Sequence, residues 1–181
     1  MKIKLSILIM MTTFIFNSCN SDDDNLNRLP PETQTGANTA GCLVNGKVFL
    51  PRRQGSSPEL LCNYEYIDGE FYFLLNFADL RGIGFKQVFV TTGGLNLEEG
   101  QNYILNKNQV EDGDYMGGGG GYSTSLENNY YTNSTNTGEL KITYIDIQSS
   151  IISGTFWFDA VNEAGELVEV REGRFDVQFA L

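Results

Sequence analysis

The chain has 181 residues, 41% apolar and 12% aromatic, with 20 glycines, 3 cysteines and no histidine. That length suits one globular core, and the missing histidine excludes Ser-His-Asp and Cys-His catalysis, His-ligated zinc or haem, and an imidazole base near neutral pH. A formal charge of -11 opposes a nucleic-acid partner, which needs clustered Lys and Arg to meet phosphate.

Lys2 and Lys4 precede a mostly apolar run from Leu5 to Phe16. The run matches a signal-peptide core and is too short to span a bilayer. It ends at Phe16-Asn17-Ser18-Cys19, a small residue directly before a cysteine, and this resembles the lipobox of bacterial lipoproteins. The resemblance implies a lipoprotein signal peptide over residues 1–18, lipid attachment at Cys19 and the membrane as a partner through the N-terminal lipid. Phe16 and Asn17 stand where the commonest pattern has Leu and Ala or Ser, and the other reading is a secreted protein with an incidental free cysteine. Two or more acyl chains are sufficient to hold a protein stably on a membrane. The acidic Asn20-Ser21-Asp22-Asp23-Asp24-Asn25 that follows resembles the signal that sends Bacteroidota lipoproteins to the cell-surface side of the outer membrane. The alternative is a solvated tether, with the domain facing the periplasm.

Residues 19–41 are polar, carry Pro30-Pro31, and read as a flexible acidic tether spanning ~25 Å. From Cys42 to Leu181 the pattern is strand-like and predicts a single all-β domain, an antiparallel β-sandwich or small barrel of about nine strands with no substantial helix. The strands are expected at Leu43–Leu50, Leu61–Ile67, Glu70–Phe77, Phe85–Thr91, Tyr103–Asn106, Leu140–Ile147, Ile151–Asp159, Leu167–Arg171 and Arg174–Phe179. Asp68-Gly69 suits a two-residue hairpin turn, with Phe71, Phe73, Leu75 and Phe77 on one face. Glu163-Ala164-Gly165-Glu166 and Glu172-Gly173 read as the last turns.

With Cys19 assigned to lipid, Cys42 and Cys62 form an even remainder in an exported chain, which reads as a disulfide worth about 3 kcal/mol. Two buried free thiols are the alternative. No metal site is expected, since two cysteines without histidine supply too few soft ligands. The acidic runs Asp22 to Asp24 and Glu111-Asp112-Gly113-Asp114 do not fit a calcium loop.

The stretch from Leu29 to Thr39, followed by Gly41-Cys42-Leu43-Val44-Asn45-Gly46-Lys47-Val48-Phe49, resembles the opening of an uncharacterised family of Bacteroidota outer-membrane lipoproteins. Ile152 to Ala160 and Glu172 to Val177 are similar to that family's closing strands, while Ala40 departs from its usual aromatic. The resemblance implies anchoring and a β-rich domain. It brings no catalytic residues and no cofactor.

Gly, Tyr, Ser, Thr and Asn make up 21 of the 25 residues from Gly113 to Thr137, a composition shared with antibody loops. One reading makes Tyr115, Tyr122, Tyr130 and Tyr131 a recognition surface for a glycan or protein. The other makes the segment a mobile insertion, or an irregular strand pair whose tyrosines cover the domain. The run Gly117 to Gly121 lacks the Lys-Ser/Thr of a phosphate loop and reads as flexible. Trp157, between Phe156 and Phe158, is expected to pack against the sheet, with exposure as a sugar platform the alternative. The function expected is a non-enzymatic, lipid-anchored envelope protein presenting a binding or structural domain. A carbohydrate-binding accessory lipoprotein is the alternative, and a small carboxylate-dependent hydrolase is the third reading.

Overall fold

The computed structural model describes residues 28–53, 55–56, 59–81, 85–108 and 116–180. The signal peptide, Cys19, the acidic run and Tyr115 lie outside these residues. Among the described residues there is no helix, and eleven strands form one sheet. They are β1 (Thr39–Val44), β2 (Lys47–Phe49), β3 (Leu60–Ile67), β4 (Glu70–Asp79), β5 (Lys86–Gly93), β6 (Asn102–Leu105), β7 (Gly117–Ser123), β8 (Asn129–Tyr131), β9 (Gly138–Asp146), β10 (Ile151–Val161) and β11 (Leu167–Gln178). The spatial order is β2-β1-β11-β10-β9-β6-β7-β5-β4-β3, and β8 pairs with both β7 and β10. Every pairing is antiparallel except the single β6 to β7 contact at Leu105 and Gly118.

The two ends of this order curl toward each other. Beyond β11, the Ala180 carbonyl accepts the Tyr64 N–H at 3.1 Å, and the Ala180 N–H donates to the Cys62 carbonyl at 3.0 Å. Arg52, just past β2, bridges to Asp79 at the end of β4. The expected all-β fold is therefore present as a barrel-like sheet. Its interior is filled by inward positions of opposite walls, with Phe73, Leu75, Phe77, Val88, Val90, Leu140, Ile142, Ile152 and Phe158 fully buried. Aromatic rings meet across it, Phe49 with Phe77 at 5.8 Å and Phe73 with Phe175 at 6.0 Å, contacts that add about 0.5 to 1.5 kcal/mol each beyond area burial.

The Asp68-Gly69 hairpin forms as expected, with Ile67 opposite Glu70 and both turn residues at positive φ. Four expectations change. The run Leu43–Leu50 is two strands, because Asn45-Gly46, at φ 48 and 74, reverses the chain. Leu167–Arg171 and Arg174–Phe179 are one strand. Glu172, at φ 51, makes a bulge in β11 where the β10 register shifts between Phe156 and Phe158, and Phe156 lies over Gly173, which has no side chain to obstruct it.

The tether boundary also moves. Thr39 to Gly41 belong to β1, and residues 33–37 dock on the outer face of the sheet. Finally, Cys42 and Cys62 are free thiols, not a disulfide. They sit on β1 and β3, which are not hydrogen-bonded neighbours, each enclosed in the core as a small apolar side chain. Burial pushes both thiols far above the ordinary thiol range.

Candidate functional site

The Gly/Tyr/Asn-rich segment is built into the wall. β7 lies between β5 and the β6/β8 edge, and its glycines are covered on both faces, Gly118 and Gly120 against the core and Gly121 beneath the Phe89 ring. A Cβ on Gly120 would come within 2.7 Å of the Phe158 ring, and one on Gly118 within 2.5 Å of the Ile104 carbonyl oxygen. Close approach, not flexibility, is what the run supplies. Thr132 fixes the end of β8, its hydroxyl donating to the Lys107 carbonyl at 2.7 Å and accepting the Gly120 N–H at 3.0 Å. The strand-pair part of the expectation is thus met by residues 117–131, while their tyrosines do not simply cover the domain.

The structure separates the four tyrosines. Tyr122 is buried in the core, edge-on to Phe49 at 6.0 Å. Its phenol is raised by desolvation first, then by the neighbouring Cys42 and Tyr130. Tyr130 is half-buried, and its hydroxyl donates to Glu166 at 3.1 Å. Tyr131 packs beside Phe89 at 6.0 Å and reaches a cleft, its phenol raised by burial. Tyr115 falls outside the described residues. Of the candidate ligand-binding tyrosines, therefore, Tyr131 is the one placed at the cleft.

That cleft has a volume of about 560 Å³ and opens where the β7–β8 turn, the β8–β9 loop and the β10–β11 turn converge. Its wall carries five asparagines, Asn108, Asn128, Asn129, Asn133 and Asn162, together with Tyr131, Glu127 and Glu163. Several of the amides build the rim. Asn162 Nδ2 donates to Asn128 Oδ1 at 3.0 Å and to Glu166 at 2.8 Å, and Asn162 Oδ1 accepts the Glu166 N–H at 2.8 Å. Asn133 Oδ1 accepts the N–H groups of Thr135 and Asn136, closing an Asx turn. With the amides holding three turns in register, the Tyr131 hydroxyl and the Glu127 and Glu163 carboxylates remain on the wall without a hydrogen-bond partner among the described residues.

Sequence reasoning finds this wall only in part. Glu163-Ala164-Gly165-Glu166 reads as a turn, and Asn128, Asn129 and Asn133 fall within the singled-out segment. Asn108 and Asn162 are missed, since nothing local shows that three separate turns meet. Asn at turn positions is the available signal, and it is equally the signal of an ordinary turn. Among the described residues no cluster of acidic or sulfur side chains forms a metal site.

Trp157 differs from expectation. It points outward and is 41% exposed, while its neighbours Phe156 and Phe158 are buried. The strand's alternation gives the two phenylalanines to the core and the indole to solvent. The Arg171 guanidinium carbon stands 5.5 Å from its ring centroid.

Among the described residues the most heavily hydrogen-bonded side chain is Asp176 on β11, which is 1% exposed. Its carboxylate accepts hydrogen bonds from the hydroxyls of Thr33 (2.6 Å), Thr35 (3.2 Å) and Ser153 (2.8 Å). It also accepts from the N–H groups of Thr35 (3.0 Å), Gly36 (2.7 Å) and Ala37 (3.2 Å). Burial works to raise its pKa, but the bonds from Thr33, Thr35, Gly36 and Ser153 outweigh that and hold it far below the usual carboxylate range. The carboxylate clasps residues 33–37 to the barrel as a strap, a structural role that sequence reasoning did not anticipate.

No curated protein and no solved structure matches the chain. Residues 84–177, which include every strand from β5 to β10 and most of β11, match the family described as a domain of unknown function (DUF6252), and the chain belongs to that family.

Proposed function

We propose that the chain is a non-catalytic lipoprotein of the bacterial envelope, anchored through Cys19, whose barrel presents the asparagine-lined cleft to a polar ligand. The anchoring reading is supported by the lysine-led apolar run that stops three residues before Cys19. The resemblance of the Leu29-to-Phe49 stretch to Bacteroidota outer-membrane lipoproteins supports it as well. Display on the cell surface is favoured by the acidic residues beside the anchor, with a periplasm-facing domain as the alternative.

The observation that carries the binding reading is the cleft itself. Its turns are locked by their own amides, leaving the Tyr131 hydroxyl and the Glu127 and Glu163 carboxylates disposed toward a ligand. A glycan fits this lining better than an apolar molecule, because fixed polar groups with one aromatic ring suit a hydroxyl-rich surface. That favours a carbohydrate-binding accessory lipoprotein as the second reading. Hydrolysis is less well supported. Glu127 and Glu163 are both exposed, whereas a general acid needs burial or a close like charge to keep its proton at neutral pH.

The test is a glycan array probed with the chain from residue 19 onward carrying Cys19→Ser and Trp157→Ala, so that the exposed indole outside the cleft does not contribute. Binding should fall by about tenfold or more in Tyr131→Ala, the loss typical of an aromatic contact residue. Binding that survives Tyr131→Ala unchanged rules out the cleft. For anchoring, cells fed a labelled fatty acid should label the wild-type chain but not Cys19→Ala. Protease shaving of intact cells should degrade a surface-displayed domain and spare a periplasmic one.

A further inference from the structure

The outward positions of β10 around Trp157 are polar, Thr155 on one side and Asp159 on the other, so an exposed indole is the exception on this wall. At 41% exposure the ring keeps a large part of its apolar surface in water and forgoes that part of its burial free energy. The ring sits in a built setting. Arg171 stacks over it and is itself immobilised by four hydrogen bonds, to the carbonyls of Phe158 and Val170 at 3.0 Å each, to Asp159 at 2.5 Å and to Glu169 at 3.0 Å. Stack and ring therefore form a rigid flat surface with little side-chain entropy left to lose on binding.

Beside it runs a groove of about 380 Å³ lined by Glu32, Glu139, Thr155, Trp157, Glu172 and Arg174. Glu139 lies directly across from Trp157 in the β9 to β10 register. Arg174 donates from Nε to the Glu172 carbonyl at 3.2 Å and stands 3.7 Å from the Glu32 carboxylate on the strap and 3.5 Å from that of Glu172. The groove thus combines one aromatic plane with acceptors and a guanidinium around its edge.

We infer that the Trp157 groove is a second binding site, separate from the asparagine cleft, that takes the pyranose ring of a neutral saccharide. A pyranose has a face of C–H groups bordered by hydroxyls. The C–H face matches the indole, and the border hydroxyls match a wall on which Glu139 and Glu172 accept, Arg174 donates and Thr155 does either. Charge narrows the class further. Five carboxylates, Glu32, Glu139 and Glu172 on the groove and Asp159 and Glu169 on Arg171, against the guanidiniums of Arg171 and Arg174 repel a phosphorylated or uronic saccharide.

Trp157 is the one tryptophan in the chain, so its emission reports on this groove directly. The full chain in detergent is titrated with cellohexaose, laminarihexaose, xylohexaose, mannohexaose and, as the cationic probe, hexalysine. A saturable change in emission with at least one hexasaccharide, unaltered in Tyr131→Ala, is the expected result. By calorimetry the same saccharide should bind about 30-fold more weakly to Trp157→Ala, the fold-change typical of a lost aromatic anchor, and close to normally to Trp157→Phe. Emission unchanged by all four saccharides overturns the proposal, as does a response to hexalysine alone. Full affinity in Trp157→Ala also overturns it. Loss in Tyr131→Ala with retention in Trp157→Ala would leave the cleft standing and remove this site, so the two readings fail separately.

Discussion

Asp176 shows how one side chain sets a boundary that composition misplaces. Residues 33–37 are polar and flanked by proline, so local sequence assigns them to a solvated tether. Their contacts, however, are to a carboxylate about 140 positions away, and nothing in a local window shows that partner. The clasp has a pH signature. A folded-state pKa depressed below the unfolded value of about 3.9 means the ionised carboxylate stabilises the fold. That contribution is fully present above about pH 4 and is lost as pH falls toward the folded pKa. Asp176→Asn should therefore lower the unfolding free energy by about 2 to 4 kcal/mol at pH 7, since an amide turns a donor toward groups that are all donors. In urea melts over decreasing pH, the gap between wild type and Asp176→Asn should narrow below about pH 4. A gap constant down to pH 2 would mean that the charge on Asp176 is not what holds the strap.

At the scale of the strand, legibility follows the spacing of large apolar residues. β3, β4, β9 and β10 place large apolar residues at alternate positions and are readable from that spacing, whereas Tyr72, Leu74 and Trp157 on the outward face leave the two sides of β4 and β10 without chemical contrast. β7 has five consecutive glycines, so no periodicity exists to read, and β8 is only three residues long. Glu172-Gly173 fits a reversal and a bulge equally well in sequence. What decides it is Phe156 on the neighbouring strand, whose ring needs the space above Gly173. The cleft was legible only as composition, because its lining comes from three turns that the closed sheet brings together. Space also makes β7 testable. Gly120→Ala puts a methyl against the Phe158 ring and Gly118→Ala one against the Ile104 carbonyl. Each should cost about 1 to 3 kcal/mol through overpacking, seen as a lower denaturation midpoint with an unchanged slope. If instead both variants match wild type, β7 does not need its glycines for packing.

Under the proposed anchoring at Cys19, the strap would also set how the whole molecule meets the membrane. If Cys19 carries the lipid, thirteen residues separate the anchor from Thr33, the first residue that Asp176 holds, a reach of at most ~50 Å when fully extended, and release of the strap would lengthen that reach by the residues up to β1. On that reading the clasp would shorten the tether, and it does so at Asp176 on β11 beside β10, the strand that carries Trp157. Glu32 stands on the strap with its side chain 59% exposed, and the Glu32–Thr33 bond adjoins the first residue that Asp176 holds. Proteolysis needs a segment able to leave its surface, so the clasp should protect this bond in proportion to its local stability. Glutamyl endopeptidase should accordingly cut after Glu32 at least about tenfold faster in Asp176→Asn than in wild type, releasing a fragment that begins at Thr33 and is identified by mass. Gly120→Ala is the control, because it weakens the barrel by a comparable amount without touching the strap, and local release predicts no equal acceleration at Glu32. Equal rates in the two variants would instead make global unfolding the route to cleavage, and the strap would then be part of the barrel's own cooperative unit rather than a separately fastened element.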